Sequence, residues 1–149
     1  MRRAIMLVVT GALFLTLSAG VALAATYTCI DSSCPGTNNN DEITGDAGNQ
    51  TFRLKAGDDL AFGKAGADAL YGDGGNDGLY GNRGADLLRD KGGQGDYDEL
   101  FGGKGKDVLR ADDGDSRDSG SCGAGDDTLH VDSAREADNF SNCEEIIVD

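Results

Sequence analysis

Apolar side chains recur at every ninth residue through the middle of the chain. In the segment 63–88, Leu70, Leu79 and Leu88 hold the eighth place of consecutive nine-residue units. Each unit has glycine at its first and fourth places and aspartate at its sixth. This pattern predicts a glycine turn that side chains would obstruct, a carboxylate directed into that turn, and a short strand that buries one apolar residue.

The same register can be followed along most of the chain. Its sixth place is held by Asp41, Gln50, Asp59, Asp68, Asp77, Asp86, Asp98, Asp107, Asp118 and Asp127. Its inward apolar place is held by Ile43, Phe52, Ala61, Leu70, Leu79, Leu88, Leu100, Leu109, Gly120 and Leu129. Ten units fit, with short insertions within 90–97 and 111–117, where we expect bulged turns. One large side chain per unit predicts a thin core.

Composition shows that apolar burial alone cannot hold such a chain. The 149 residues include 24 glycines, 27 acidic and 13 basic residues and no tryptophan, and much of the apolar content lies in the first 25 residues. The remainder has the charge and hydropathy of a disordered segment. Another source of stabilisation is therefore expected.

The first 24 residues have the pattern of a secretory signal. Arg2 and Arg3 form a short basic region, an almost wholly apolar run follows, and small residues precede a cleavage point that we expect after Ala24. An uncleaved membrane anchor is the alternative, because a run of about 20 apolar residues can span a bilayer. We expect a secreted, extracellular protein exported by this signal.

The charge of the exported part favours a cation as its partner. The full chain carries a net charge of −14, and loss of two arginines with the leader makes it −16. Such a charge excludes nucleic acid as a partner and disfavours an anionic membrane surface. A multivalent cation would relieve the self-repulsion that opposes folding.

Four cysteines remain after the leader, namely Cys29, Cys34, Cys122 and Cys143. An even number in an exported chain favours disulfides over a metal–thiolate site. Three pairings are possible. We favour Cys29–Cys34 with Cys122–Cys143, because each bond would then close a loop at one end of the repeats, where a stacking neighbour is missing.

The segments GDGGNDGLYG and GGKGKDVLRA resemble the hemolysin-type, or RTX, nonapeptide repeat, and the resemblance extends over about 36–130. It implies an all-β chain wound into a right-handed parallel β-roll, with two units per coil and Ca²⁺ between the turns. The ligands that it implies are the carboxylates of Asp41, Asp59, Asp68, Asp77, Asp86, Asp98, Asp107, Asp118 and Asp127. The backbone carbonyls of the turns would assist them, with turn glycines at Gly57, Gly63, Gly66, Gly72, Gly75, Gly81, Gly84, Gly102, Gly105 and Gly125.

Two units per coil sort the sixth-place residues onto two edges. Asp41, Asp59, Asp77, Asp98 and Asp118 lie on one edge, and Gln50, Asp68, Asp86, Asp107 and Asp127 on the other. Neighbours on one edge are about 4.7–4.9 Å apart and can share an ion. We expect roughly four to seven calcium ions, the most regular sites between Gly57 and Asp86, and doubtful sharing across an insertion, as between Asp77 and Asp98.

The outward ninth place predicts one further surface. Phe62, Tyr80 and Phe101 would form an aromatic ladder on one sheet, which either stabilises adjacent strands or docks a cell wall, a polysaccharide or a protein. Arg53, Arg89 and Arg110 on the other sheet are expected to neutralise nearby carboxylates.

No enzyme is expected from this sequence. It has neither the His-Glu-x-x-His nor the Gly-x-Ser-x-Gly motif, and its single histidine is His130 at the edge of the last repeat. We therefore expect a signal peptide at 1–24, a disulfide-closed cap at 25–35, a calcium-binding roll at 36–130 and a second cap at 131–149. The expected function is calcium binding that drives folding outside the cell. An adhesion module in which calcium is only structural is the alternative.

Overall fold

The chain forms a stack of coils in which two parallel sheets face each other. The computed structural model describes residues 25–92, 95–114, 117–133, 137 and 139–149. The predicted leader at 1–24 lies outside the described residues. Fourteen strands belong to these ranges, and they alternate between the two sheets along the chain.

The odd-numbered strands form one sheet, which we call the odd sheet. They are β1 (Ala25–Thr28), β3 (Asp41–Thr44), β5 (Leu60–Ala65), β7 (Gly78–Arg83), β9 (Glu99–Lys104), β11 (Ser119–Ala124) and β13 (Phe140–Ser141). The even-numbered strands form the even sheet. They are β2 (Ser33–Pro35), β4 (Thr51–Ala56), β6 (Ala69–Gly74), β8 (Leu87–Arg89), β10 (Val108–Ala111), β12 (Thr128–Val131) and β14 (Glu145–Val148). The architecture is the all-β parallel solenoid expected from the repeat.

Strand pairing follows the two-unit coil. Ala61 of β5 pairs with Leu79 of β7, and Leu79 pairs in turn with Leu100 of β9. Corresponding places of the repeat therefore lie above one another in each sheet. The insertion before β9 leaves this register unchanged.

The core is a column of eighth-place side chains. Ile43, Phe52, Ala61, Leu70, Leu79, Leu88, Leu100, Leu109 and Leu129 are all fully buried. Leu54, Ala111 and Val131 are buried as well, at places where the regular units have their first glycine. The core is thus one or two side chains wide, as the sequence predicts.

Two disulfides lie at the ends of the stack. Cys29 is bonded to Cys34, and Cys122 is bonded to Cys143. These are the pairs that the sequence favours. The last strand, β14, pairs in register with β12.

Within the described ranges, no helix has the length and apolar character that crossing a bilayer requires.

Candidate calcium-binding turns

The sixth-place residues form two vertical stacks at the turns between the sheets. We call the turns that lead into β3, β5, β7, β9 and β11 the odd edge, and those that lead into β4, β6, β8, β10 and β12 the even edge. Every sixth-place residue is buried, with at most 4% of its surface exposed. The structure therefore brings together, edge by edge, the residues that the sequence assigns to each edge.

A repeated hydrogen bond connects successive members of each stack. On the odd edge, the backbone N–H of Asp59 donates to Oδ1 of Asp77 (2.9 Å), and that of Asp77 donates to Oδ1 of Asp98 (2.6 Å). On the even edge, Asp68 donates in the same way to Asp86 (2.8 Å). Each carboxylate is thus fixed by the preceding coil through one of its two oxygens.

The bond continues across both insertions. Asp98 N–H donates to Asp118 Oδ1 (3.0 Å), and on the even edge Asp86 donates to Asp107 (2.8 Å) and Asp107 to Asp127 (2.7 Å). Pairs that span an insertion are therefore stacked like the others. Whether such pairs share an ion stays a prediction.

The second carboxylate oxygen in these stacks has no donor. Among the residues that the structure describes, no hydrogen-bond partner reaches the buried Oδ2 atoms of Asp59, Asp68, Asp77, Asp86, Asp98, Asp107 and Asp127. A buried carboxylate oxygen without a partner is costly, and a bound cation removes that cost.

The first-place glycines leave the space into which these oxygens point. A Cβ added at Gly63 or Gly81 would lie 2.5 Å from Oδ2 of Asp68 or Asp86, and one at Gly102 would lie 2.7 Å from Oδ2 of Asp107. A Cβ at Gly72 would collide in the same way with Asp77. Any other residue would fill the space beside the free oxygen.

The fourth-place glycines allow the turns themselves to stack. Gly75 and Gly84 have φ angles of 117° and 133°, and a Cβ at either would overlap the carbonyl oxygen of the glycine one coil earlier. The same overlap applies at Gly66, Gly105 and Gly125, while at Gly57 the overlapping backbone is that of Asn39. Beside the first-place Gly63 and Gly81, a carboxylate oxygen and a backbone carbonyl oxygen both lie within 3 Å of the position of an added Cβ, and oxygen ligands of both kinds suit Ca²⁺.

The surroundings raise the proton affinity of the stacked carboxylates. Burial raises the pKa of Asp59, Asp68 and Asp107 to about 6 and that of Asp77 to about 8. The pKa of Asp98 is raised to about 9, first by burial and then by the charge of Asp90. The hydrogen bond to each Oδ1 lowers these values in part. At neutral pH, a bound cation would therefore be needed to keep the carboxylates of Asp77 and Asp98 ionised.

The first residue of each stack differs from the rest. Both oxygens of Asp41 accept hydrogen bonds from Thr37, from its backbone N–H (2.6 Å) and its hydroxyl (3.1 Å). Gln50 begins the even stack and binds the side chain of Asp46 with its amide. The carboxylate of Asp41, predicted as a ligand, is thus engaged within its own turn.

Sequence reasoning missed Asp90. It follows β8 directly and is 1% exposed, and carboxylate oxygens of Asp77, Asp90 and Asp98 lie within 4.8 Å of one another. Continuing the count of nine from Gly81 leads to Asp90, so the register contained this signal, but we treated the residue as part of an insertion.

Sequence reasoning also missed Glu144 at the end of the even stack. Its Oε2 accepts the N–H of Asp127 (2.9 Å), the position that an aspartate holds in earlier coils. The signal was the apolar Ile146 two residues later, which pairs with the eighth-place Leu129.

The outward side chains form two different ladders. Phe62, Tyr80 and Phe101 stack with ring centroids 5.0 Å apart. On the even sheet, the Arg53 guanidinium lies 4.7 Å above the Tyr71 ring, and Arg110 forms a 2.6 Å ion pair with Asp112. The expected neutralisation of carboxylates thus holds for Arg110, while Arg53 stacks on an aromatic ring.

Comparison with known proteins gives one match. The family model of the RTX calcium-binding nonapeptide repeat matches the chain in four copies, over residues 35–52, 55–88 and 92–117, which together make up more than half of its length. These copies are fewer than the ten units that the nine-residue register allows. No curated protein and no solved structure matches the chain.

Proposed function

This chain belongs to the family of proteins with RTX calcium-binding nonapeptide repeats, and from that premise we propose that it is a secreted protein which folds when it binds extracellular calcium. Its repeats form a calcium-binding β-roll. The observation that carries the proposal is the series of buried, donor-free Oδ2 atoms, of which those of Asp68, Asp77, Asp86 and Asp107 are directed into the space left by a first-place glycine.

The thin core supports coupling between folding and binding. Each coil buries few apolar side chains, while it brings carboxylates of like charge to adjacent levels of each stack. Without cations, the buried carboxylates oppose formation of the coil. With calcium bound, the same groups become ligands, so the free energy of binding contributes directly to folding.

The proposed ligands are the sixth-place aspartates, with backbone carbonyls of the glycine turns. Pairs in which both members keep a donor-free oxygen are Asp59 with Asp77, Asp77 with Asp98, Asp68 with Asp86, Asp86 with Asp107, and Asp107 with Asp127. We retain four to seven ions as the expected number. Extracellular modules bind calcium with dissociation constants of about 10⁻⁴–10⁻³ M, which suits a switch between the cell interior and its surroundings.

Secretion is supported by the sequence of the leader and by the two disulfides. Disulfides persist in oxidising compartments, and both bonds here join cysteines of the exported part. The proposal includes no catalytic activity.

Circular dichroism of the disulfide-bonded exported protein tests the proposal. We expect strand signal to appear on addition of millimolar calcium and to disappear on chelation, while magnesium at the same concentration has little effect. Asp73→Asn provides a control, because Asp73 lies outside the stacks and asparagine tolerates its φ of 71°. Strand content that does not change with chelator would contradict calcium-coupled folding.

The aromatic ladder supports a second candidate, an adhesion module in which calcium is structural. The three rings stack, yet each remains partly exposed, so they present a continuous aromatic surface. Retention on cell walls and polysaccharides can be compared between the wild type and the variant with Phe62→Ala, Tyr80→Ala and Phe101→Ala. Adhesion would be favoured if the wild type is retained and the triple variant is not, while the triple variant keeps its calcium-dependent strand signal. No retention of the wild type would leave the ladder a purely structural feature.

A further inference from the structure

We propose that Asp90 forms, with Asp77 and Asp98, a three-carboxylate calcium site that is tighter than the two-carboxylate sites of the regular turns and fills before them. Asp90 stands outside the repeat pattern. It is the first residue after β8, a position at which regular units have glycine. The inference rests on the proposed function, because it assumes that the regular turns bind calcium.

The position of Asp90 is fixed by the backbone on both sides. Its N–H donates to the carbonyl of Arg110 (3.1 Å), and its Oδ2 accepts the N–H of Gly92 (2.9 Å). The side chain is therefore held inside the coil, with 1% of the residue exposed.

The other oxygen of Asp90 points toward its two partners without a donor. Oδ1 is buried and has no hydrogen-bond partner among the described residues. Oδ1 of Asp90 lies 3.2 Å from the position that a Cβ on Gly72 would take. Oδ2 of Asp77 points into the same space beside Gly72. Two donor-free oxygens from different coils thus converge above one glycine.

Asp98 completes the group. One carboxylate oxygen from each of Asp77, Asp90 and Asp98 lies within 4.8 Å of the other two, and Oδ2 of Asp98 is also buried without a donor. The ion pairs within the described ranges are formed by Arg110 and His130, and none of them reaches this group. A bound divalent cation would compensate the charge of three buried carboxylates at this distance.

The number of carboxylates sets this site apart. Regular turns bring together two aspartates from adjacent levels, whereas this group brings together three, and calcium affinity rises with the charge of the ligand set. Hard oxygen ligands without nitrogen or sulfur suit Ca²⁺ rather than a transition metal. The site therefore binds calcium at lower concentrations than its neighbours do.

Asp90 also belongs to a second group. Its carboxylate lies within 4.8 Å of ligand atoms of Asp113 and Asp118, one coil further along. Replacement of Asp90 therefore removes the member that the two groups share, whereas replacement of Asp113 would leave the first group complete.

Calorimetric titration of the disulfide-bonded exported protein with calcium alone tests this site. The wild type should show a tight class of sites, at least about tenfold tighter than the remainder. Asp90→Asn should lose the tight class and keep the weaker one, while the control Asp73→Asn should keep both. Dichroism at saturating calcium checks that each variant reaches the strand content of the wild type.

Asp90→Gly is the second variant, because it restores the residue of the regular repeats. It too should fold at saturating calcium and lack the tight class. A tight class retained in either folded variant, or absent from a wild type that binds calcium, would overturn the inference. Failure of both variants to fold at saturating calcium would also overturn it, since the regular sites should suffice. A wild type that binds no calcium would instead refute the proposed function.

Discussion

The two edges of the roll have the same strand register but different turns. On the even edge, the first place is glycine in four successive turns, at Gly45, Gly63, Gly81 and Gly102, and it is Cys122 in the fifth. On the odd edge, the corresponding places are Gly36, Leu54, Gly72, Asp90 and Ala111, and both insertions are on this edge. The even edge is thus a repeated site, whereas the odd edge is a series of different ones.

This difference shows which element positions the aspartates. The hydrogen bond between Asp77 and Asp98 forms although the turn before Asp98 is longer, because β7 and β9 remain paired from Gly78 and Glu99 onward. Strand pairing sets the level of each carboxylate. The interior of a turn can therefore vary in length and chemistry without disturbing the stack.

The largest effect is expected from a matched pair of glycine substitutions. Gly84 on the even edge and Gly95 on the odd edge both have positive φ, 133° and 112°. A Cβ at Gly84 would overlap the carbonyl of Gly66, whereas the nearest described atom to one at Gly95 is 3.8 Å away. At saturating calcium, Gly84→Ala should lower the free energy of unfolding by more than about 4 kcal/mol.

Gly95→Ala should cost only about 1–3 kcal/mol, the strain of a positive φ. Urea denaturation monitored by dichroism measures both values. Equal losses would show that backbone strain, and not the stacking of turns, determines the even edge.

The next largest effect concerns the calcium midpoint of folding. Asp68→Asn with Asp86→Asn removes two charges from the even stack, and Asp59→Asn with Asp77→Asn removes two from the odd stack. Both variants should need more calcium to fold, by about tenfold, because ligand charge sets affinity. The odd-edge variant should need more than the even-edge variant, because Asp77 also belongs to the group around Asp90.

A calcium titration followed by dichroism gives the two midpoints. A smaller shift for the odd-edge variant would indicate that the extra carboxylate contributes nothing to binding at this edge.

A smaller effect is expected from acid, which should restore part of the strand content of the calcium-free chain. This effect should distinguish the coil that contains Asp98, at the insertion, from the regular coils. In the folded chain the pKa of Asp98 is about 9 and that of Asp77 about 8, while Asp68 and Asp107 are near 6, all above the ordinary 3.8. The folded state then binds protons more strongly than the unfolded state. Acidification therefore stabilises it, and the stabilisation is lost as the pH rises through these values.

In chelator, strand content should accordingly increase as the pH is lowered from about 9 to about 5, and the change above pH 7 should be smaller in Asp98→Asn, where only Asp77 still titrates in that range. Dichroism across this range is the measurement. A chelated chain that loses strand content on acidification over the same range would contradict the sign of these shifts.

The smallest effect is expected from Glu144→Gln at the end of the even stack. Glu144 accepts the N–H of Asp127, and glutamine keeps an acceptor oxygen there while removing the charge. Because Glu144 is exposed, the calcium midpoint should rise by less than about threefold. A shift as large as that of the Asp68 and Asp86 variant would show that the last turn binds calcium as strongly as the central ones.

Much of the roll could be predicted because its sequence repeats its own contacts. The nine-residue spacing of aspartate and leucine gave the buried column, the two edges and the assignment of residues to each. Gly84 was predictable as a turn residue from its fourth place in the repeat, and only a glycine there permits its turn to stack on the preceding one. These features depend on local pattern, which one sequence displays fully.

The residues that were missed depend on contacts between coils that the repeat does not encode. Asp90 lies in a segment where the spacing between sixth-place aspartates is longer than nine, so the repeat assigns it no role. Its proximity to Asp77 results from strand pairing across that insertion. Glu144 was hidden because the glycines that mark the register end at Gly125. The engagement of Asp41 by Thr37 is likewise a three-dimensional detail of the first turn.

Alternation of the strands between two sheets gives the roll a parity. Removal of 18 residues, 63–80, would join Phe62 to Gly81 and leave every later strand in its present sheet. Removal of nine, 72–80, would transfer every later strand to the opposite sheet, so that Arg89 would enter the column of Phe62 and Phe101 that of Tyr71. Repeats can therefore be gained or lost only in pairs, as whole coils, if the later strands are to keep their sheets, whereas the length of a single turn can vary freely.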